Sequence, residues 1–348
     1  MAFPDVYTAS SDRYTDATFR RCGKSGVQLP PISLGLWQNF GGADVFETGR
    51  AVLRRAFDRG VTHFDLANNY GPPYGSAEEN FGKVLHTDFK THRDELIISS
   101  KAGWDMWPGP YGIGASKKYL VSSLDQSLKR MGLDYVDIFY THRPDFDTPM
   151  EETARALAGI VRAGKALYIG ISSYSPARTR TMHDLLEAEG VKLFIHQPSY
   201  SMVNRYLEQG LLQTLGELGV GCIAFSPLAQ GLLTNKYIQG DAAQTRVNAE
   251  GSSFSKTLLS DENLDRVRAL NKIAEDRGQT LAQMAIGWAL RDPRVTTALI
   301  GARNVAQLDD SLNSLQNLSF TTDELAEIDK YAVDTPEIDL WRAVNSRD

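Results

Sequence analysis

The chain has 348 residues, with 37 Lys and Arg against 43 Asp and Glu, and a formal net charge of −6 at neutral pH. This acidic balance disfavours binding to nucleic acid or to an anionic membrane, so an anionic ligand needs a local cluster of donors. Residues 1–20 lack the apolar stretch of a signal peptide, and no run of about 18 apolar residues occurs. We therefore expect a cytoplasmic protein, in which Cys22 and Cys222 are reduced thiols.

Short runs rich in apolar and β-branched residues recur along the chain, and a longer segment with helical periodicity follows most of them. The predicted strands cover residues 32–37, 61–67, 96–101, 135–142, 166–172, 193–197, 220–226 and 297–301. The predicted helices include residues 46–59, 117–131, 150–162, 176–188, 204–218 and 281–290. Strands that alternate with helices predict a parallel sheet with crossover connections.

Eight such units close a barrel, so the sequence favours an α/β fold of the (β/α)8 TIM barrel type. A doubly wound open sheet is the alternative, but no G-x-G-x-x-G run follows the first strand. We predict one domain, with a hairpin at about 18–29 that can plug the barrel floor, a barrel at about 31–316, and a C-terminal helix and tail at 323–348. The segment 231–260 is too long for an ordinary connection and is typical of a lid or a ligand clamp.

Ionisable side chains collect where the predicted strands end, which is the face that carries the active site in barrels of this type. Asp65 and Tyr70 follow the second strand, Lys101 ends the third and His142 ends the fourth. A phenol with a pKa near 10 transfers protons poorly at neutral pH, and a neighbouring ammonium is expected to lower that value. A carboxylate keeps such a lysine charged, and a histidine can polarise a carbonyl oxygen. The set suits protonation of an oxygen while hydride reaches the adjacent carbon.

Each of these residues also has an ordinary structural explanation. A strand-end Asp65 can cap a helix, Lys101 can be a solvated strand end, and Tyr70 can be a half-buried loop aromatic. Their occurrence together on consecutive strands favours the functional interpretation. Among the other histidines, His63 and His196 fit hydrogen-bonded core residues, and no spacing indicates a metal site.

The residues around this set resemble sequence blocks of the aldo-keto reductase family. The first block is Gly60-Val-Thr-His-Phe-Asp-Leu-Ala-Asn-Asn-Tyr-Gly71, which Glu78-Glu-Asn-Phe-Gly82 follows. Later blocks are similar at residues 99–101, 135–142, 170–173 and 197–200, and the likeness extends from about 19 to 332. Within the family, the sequence most resembles the bacterial L-glyceraldehyde 3-phosphate reductases, which are similar in turn to potassium-channel beta subunits.

The resemblance implies NADPH-dependent reduction of aldehydes on a barrel of this type. Tyr70 would be the general acid, Lys101 and Asp65 would tune it, and His142 would orient the substrate carbonyl. Trp37 would lie beside the nicotinamide near the substrate, and Trp104 would line the substrate pocket.

The resemblance also implies a set of residues that bind NADPH or NADP⁺, including Asp65 and Trp37 beside the nicotinamide. The others are Tyr200 stacked on the nicotinamide, Ser172, Ser173 and Gln197 on its carboxamide, Phe225, Ser226, Pro227, Leu228, Ala229, Gly231 and Lys236 around the pyrophosphate, and Gly301, Arg303, Gln307 and Ser311 at the adenosine end. The family commonly has Ser or Thr in place of Arg303 and Glu-Asn in place of Asp310-Ser311. An arginine there can pair with the 2′-phosphate of NADP and stack on adenine.

The substrate and the functional class stay open at this point. Glyceraldehyde 3-phosphate, methylglyoxal and other small aldehydes are candidate substrates, and a phosphorylated aldehyde needs a cationic anchor such as Arg143 or Lys117. A cofactor-binding regulatory subunit and an unrelated barrel enzyme, such as a sugar-phosphate isomerase, are the alternative functions. Barrels of the related groups associate with one another, which makes a homo-oligomer compatible with the resemblance.

Overall fold

The computed structural model of the chain describes residues 6–237 and 259–334. Eight parallel strands form a closed barrel inside a ring of helices, and a two-stranded antiparallel hairpin precedes the barrel in the chain. The last barrel strand pairs with the first, so no strand edge is left open. The predicted (β/α)8 barrel is confirmed, and the open doubly wound sheet is excluded.

The strands occupy the central part of each predicted apolar run. The hairpin strands are β1 (Arg20–Arg21) and β2 (Gln28–Leu29). The barrel strands are β3 (Ile32–Gly35), β4 (His63–Asp65), β5 (Ile97–Ala102), β6 (Val136–Thr141), β7 (Ala166–Ser172), β8 (Leu193–Gln197), β9 (Gly221–Phe225) and β10 (Thr297–Ile300). Because all eight run in the same direction, the residues that follow them meet at one rim.

The helices that surround the barrel follow its strands in chain order. They are α1 (Phe46–Asp58), α2 (Ser76–Thr87), α3 (Lys117–Met131), α4 (Met150–Arg162), α5 (Pro176–Ala188), α6 (Leu211–Leu218), α7 (Asp261–Asp276), α8 (Leu281–Ala289), α9 (Val305–Asn313) and α10 (Thr322–Asp329). Within the part of the chain that the structure describes, none of the helices has the length and apolar character needed to cross a membrane.

The helix predicted at 204–218 is wrong in its first half. A short 3₁₀ turn at Tyr206–Glu208 comes first, and α6 begins only after Gly210. Gly210 has a φ of 122°, a value that side-chain-bearing residues rarely adopt, so the chain changes direction there instead of continuing as one helix.

The hairpin covers the end of the barrel opposite to the rim, as predicted. The Lys24 backbone N–H donates to the carbonyl oxygen of Gly219 at 2.9 Å, just before β9 begins. Cys22 is fully buried and packs with Leu29 and Tyr140 in an apolar cluster at this end. Cys22 and Cys222 are both buried and form no disulfide. The floor is thus closed by apolar packing, which leaves the rim for ligands.

Two predicted segments are described only in part. Of the predicted clamp at 231–260, the structure describes residues 231–237 and 259–260. Of the predicted C-terminal helix and tail at 323–348, α10 and the residues up to 334 are described, and residues 335–348 lie outside the described part.

Candidate active site

Asp65, Lys101 and Tyr70 meet at the rim of the barrel. The Lys101 Nζ donates to Asp65 Oδ2 at 2.5 Å, to the carbonyl oxygen of Leu66 at 2.7 Å and to Tyr70 Oη at 3.4 Å. Asp65 and Lys101 are 0% exposed, so neither charge has water to solvate it. A buried ion pair is tolerated when further hydrogen bonds satisfy its remaining atoms, and the Leu66 contact supplies one.

The backbone between β4 and α2 brings Tyr70 over this ion pair. The Asn68 N–H donates to the carbonyl oxygen of Lys101 at 2.9 Å, which fastens the loop to β5. The Tyr70 N–H then closes a turn onto the carbonyl oxygen of Ala67 at 3.1 Å. The phenol consequently sits where strand geometry, and not a flexible side chain, sets its distance from the ammonium.

The predicted lowering of the Tyr70 pKa is wrong. Burial raises the pKa of Tyr70 well above 10, and the negative charge of Asp65 raises it further. The Lys101 charge does not outweigh these two effects, because the ammonium lies closer to Asp65 than to the phenol oxygen. Burial also lowers the pKa of Lys101, against an opposing effect of Asp65. The arrangement holds Tyr70 in its protonated form, which is the form that a proton donor needs.

His142 lies beside Tyr70, with their ring centroids 5.8 Å apart and the rings nearly perpendicular. Burial lowers the pKa of His142 well below 6.5, and the charges of Lys101 and Arg143 add to this effect. The imidazole is therefore neutral at neutral pH and has one N–H to donate. Its Nδ1 is buried and has no hydrogen-bond partner among the described residues.

A cavity of about 600 Å³ opens above these residues. This is within the range of roughly 300–1,000 Å³ for pockets that hold small molecules and cofactors. The predicted site residues all line it except Lys101, Tyr200 and Ala229. Lys101 lies beneath its floor, fully buried, and Ala229 lies at 0% exposure within the turn after β9.

One end of the lining is polar and positively charged. Lys236 and Arg303 contribute cations there, and α9 begins beside Arg303 with Asn304 as its cap. The Arg303 backbone N–H donates to Gln307 Oε1 at 3.1 Å, and Gln307 is held by the first turn of the helix. The Asp310 carboxylate, on α9, also lines the cavity. The two cations and the positive end of the helix dipole outweigh this one negative charge and favour an anionic ligand.

Tyr200 does not lie where the resemblance implies. It is 0% exposed, its ring packs on Trp288 with the centroids 5.2 Å apart, and its hydroxyl donates to Glu208 and accepts from Arg291. The prediction that Tyr200 stacks on a nicotinamide is therefore corrected. Phe225, at the end of β9, is half-buried and does line the cavity.

A model of the aldo/keto reductase family matches residues 31–333, which is most of the chain. The chain belongs to the aldo/keto reductase family. Two relatives from Escherichia coli, both named L-glyceraldehyde 3-phosphate reductase, are 57% and 58% identical over 98% of this chain and 100% of their own lengths. A probable voltage-gated potassium channel subunit beta from Oryza sativa is 34% identical over 89% of this chain and 94% of its own length. The chain is accordingly an oxidoreductase of this family.

The cavity also includes polar residues that the sequence patterns did not identify. Asn69 precedes Tyr70 and lines the cavity, and its Oδ1 is buried and has no hydrogen-bond partner among the described residues. Thr280 and Asp310 line the opposite end. The spacing of Thr280 and Gln283 before an apolar run is a capping-box signal, which is sufficient to find the start of α8 but not its position beside the cavity.

Proposed function

We propose that the protein reduces small aldehydes with NADPH and that Tyr70 gives the proton to the carbonyl oxygen. The observation that carries this proposal is the buried contact of Lys101 with Asp65 and Tyr70 at the floor of the cavity. His142 lies beside the phenol, with the two ring centroids 5.8 Å apart, so the phenol O–H and an imidazole N–H can both serve an oxygen at one position in the cavity. A carbonyl oxygen that gains negative charge fits that position.

The residues present fit a dinucleotide phosphate. Ser172, Ser173 and Gln197 offer side-chain hydrogen-bonding groups next to Asp65, where a carboxamide can bind, and the Phe225 ring can pack on the nicotinamide. At the opposite end, Arg303 can pair with a 2′-phosphate. NADPH in this position supplies the hydride for the carbonyl carbon.

Each side chain at the inner end has a separate task. Tyr70 stays protonated because its pKa is raised, and its Oη–H transfers to the carbonyl oxygen as that oxygen becomes basic. Lys101 stabilises the phenolate that remains, and Asp65 keeps the ammonium charged in its buried position. Neutral His142 donates an N–H to the same oxygen and orients the aldehyde. Burial of this group excludes water from the proton transfer.

The names of the relatives that are 57% and 58% identical support glyceraldehyde 3-phosphate as a substrate. Arg143 supports it too, because its guanidinium stacks on the Trp104 ring at 4.3 Å, and Trp104 lines the cavity. Lys117 is exposed at the start of α3 and does not line the cavity. Arg143 does not line the cavity either, but it contacts a residue that does, so we assign it as the better anchor for the phosphate of such a substrate.

The test is the rate of NADPH oxidation with glyceraldehyde 3-phosphate, glyceraldehyde and methylglyoxal, for the parent and for Tyr70→Phe. Loss of a general acid costs roughly 10²–10⁴-fold in rate. We expect kcat to fall in this range while NADPH still quenches tryptophan fluorescence as in the parent. Aldehyde reduction by Tyr70→Phe at the parent rate would show that another group donates the proton. A parent that binds NADPH but turns over none of these aldehydes would instead favour a regulatory role.

A further inference from the structure

A line of hydrogen bonds runs through the interior of the barrel and ends on Asp65. Thr297 Oγ1 lies 2.8 Å from Ser33 Oγ, and Ser33 Oγ lies 2.9 Å from His63 Nδ1. His63 Nε2 lies 3.1 Å from Ser99 Oγ, and Ser99 Oγ donates to Asp65 Oδ1 at 2.6 Å. These five residues belong to β10, β3, β4 and β5, and all are 0% exposed.

We infer that Ser99 and His63 are positioning residues, which hold the Asp65 carboxylate so that Lys101 stays aimed at Tyr70. This inference rests on the proposed function only for its kinetic consequences. Neither residue lines the cavity, so neither touches a ligand. They act through Asp65, whose Oδ1 they fix while Oδ2 accepts from Lys101.

The chemistry of the groups sets the direction of every hydrogen bond in the line. The Asp65 carboxylate can only accept, so Ser99 must give it the hydroxyl proton. Ser99 Oγ is then free to accept, and His63 must donate from Nε2. Burial lowers the His63 pKa to about 4, so the ring is neutral and has a single N–H. Its Nδ1 therefore accepts from Ser33, which accepts in turn from Thr297.

This direction has a structural consequence for the ion pair. Hydrogen bonds that point in the same direction along a chain polarise one another. The bond from Ser99 to the Asp65 carboxylate gains most from this effect, because its acceptor is charged. Gln197 Nε2 also donates to Asp65 Oδ1, but at the longer distance of 3.3 Å. Among the described residues, Ser99 is thus the nearer of the two side chains that donate to Asp65 Oδ1, while Lys101 donates to Oδ2.

The neighbouring residue in β5 provides a matched control. Ser100 is also 0% exposed, and its hydroxyl also donates to a buried carboxylate, Glu78 Oε1, at 2.6 Å. Successive side chains of a strand face opposite sides, so Ser99 points into the barrel and Ser100 points toward α2. Glu78 is paired with Arg130 at 2.7 Å, and its charge raises the Lys101 pKa less than the charge of Asp65 does. Substitution of either serine removes the same chemical group from the same strand.

The first experiment compares Ser99→Ala, Ser99→Thr and Ser100→Ala in aldehyde reduction. We expect Ser99→Ala to lower kcat roughly 10-fold, as for the loss of one hydrogen bond to a charged group, with the KM for NADPH within about twofold of the parent. Ser99→Thr keeps the hydroxyl and should restore most of kcat. Ser100→Ala should lower the melting temperature about as much as Ser99→Ala but leave kcat within about twofold. Equal losses of kcat in the two alanine variants would overturn the inference.

The second experiment needs no turnover and therefore separates this inference from the proposed function. Nitrogen NMR of ¹⁵N-histidine-labelled protein distinguishes the two neutral tautomers, and His63→Gln identifies which signal belongs to His63. We expect the Nε2–H tautomer in the parent and a loss of that fixed preference in Ser99→Ala. An Nδ1–H tautomer in the parent would contradict the direction of the line. If the parent reduced no aldehyde, the proposed function would be wrong, but the His63 tautomer would still test the direction of the hydrogen bonds.

Discussion

The two ends of the cavity are built in different ways. At the inner end, Asp65 and Lys101 are 0% exposed and lie 2.5 Å apart, with strands on every side. At the outer end, Arg303 is exposed, and its position is set by one backbone contact to Gln307. A buried charge must be balanced within the protein, whereas an exposed one is screened by water and salt. Substitutions at the inner end should therefore change both the catalytic rate and the stability of the fold. Substitutions at the outer end should change only the affinity for the ligand.

The largest effect should follow from breaking the inner ion pair. Lys101→Met leaves Asp65 buried and unpaired, which costs about 3–5 kcal/mol of unfolding free energy when a buried partner is removed. The variant also loses the cation that stabilises a Tyr70 phenolate, so kcat should fall at least about 100-fold. Thermal unfolding and kcat per NADPH-binding site measure the two effects. Unchanged stability would mean that Lys101 does not neutralise the buried charge of Asp65.

A substitution at the outer end should change the affinity for NADPH and leave kcat unchanged. Arg303→Ala removes a cation that can meet the 2′-phosphate, so the KM for NADPH should rise by roughly 5–10-fold, the scale of a charge-assisted contact. The KM for NADH and kcat should stay near the parent values. Because an exposed contact is screened, the difference should shrink at high salt. An unchanged preference for NADPH over NADH in this variant would sink the assignment of Arg303.

The smallest effect separates Phe225, which lines the cavity, from Tyr200, which does not. Phe225→Leu removes a ring from the lining and should raise the KM for NADPH a few-fold, in keeping with about 0.5–1.5 kcal/mol for an aromatic pair. Tyr200→Phe is its control, since the hydrogen-bond partners of the Tyr200 hydroxyl within residues 6–237 and 259–334 are Glu208 and Arg291. That variant should lose about 1 kcal/mol of stability and keep its KM. A higher KM for NADPH in Tyr200→Phe would indicate that Tyr200 does contact the cofactor.

The barrel could be predicted from the sequence because each strand and helix has a pattern that is local in the chain. Apolar runs marked each strand, and polar residues just after them marked the rim, so Asp65, Tyr70, Lys101 and His142 could be grouped before any coordinates. The prediction of one helix at 204–218 was wrong because the periodicity of these residues does not show that Gly210 has a φ of 122°.

The errors at the site have a different origin. Tyr200 and Phe225 are both aromatic residues close to strand ends, and Tyr200 faces away from the cavity because its ring packs against Trp288, far along the chain. The direction of the Tyr70 pKa shift depends on burial and on the charge of Asp65, which both raise it. Sequence adjacency shows that these groups meet, but it does not give their depth or separations. Ser99 and His63 were overlooked as partners of Asp65 for the same reason.

The hairpin at the barrel floor also bears on the order in which the chain folds. Its Arg20 guanidinium donates to the carbonyl oxygen of Leu290, 270 residues later in the sequence, and Cys22 packs against the carbonyl oxygen of Phe194. Contacts between residues so far apart form only after the intervening chain has been brought together. The hairpin therefore makes these contacts only once the chain has been synthesised as far as Leu290. A segment that precedes the barrel in the chain thus depends on residues near the last barrel strand for its place at the barrel floor.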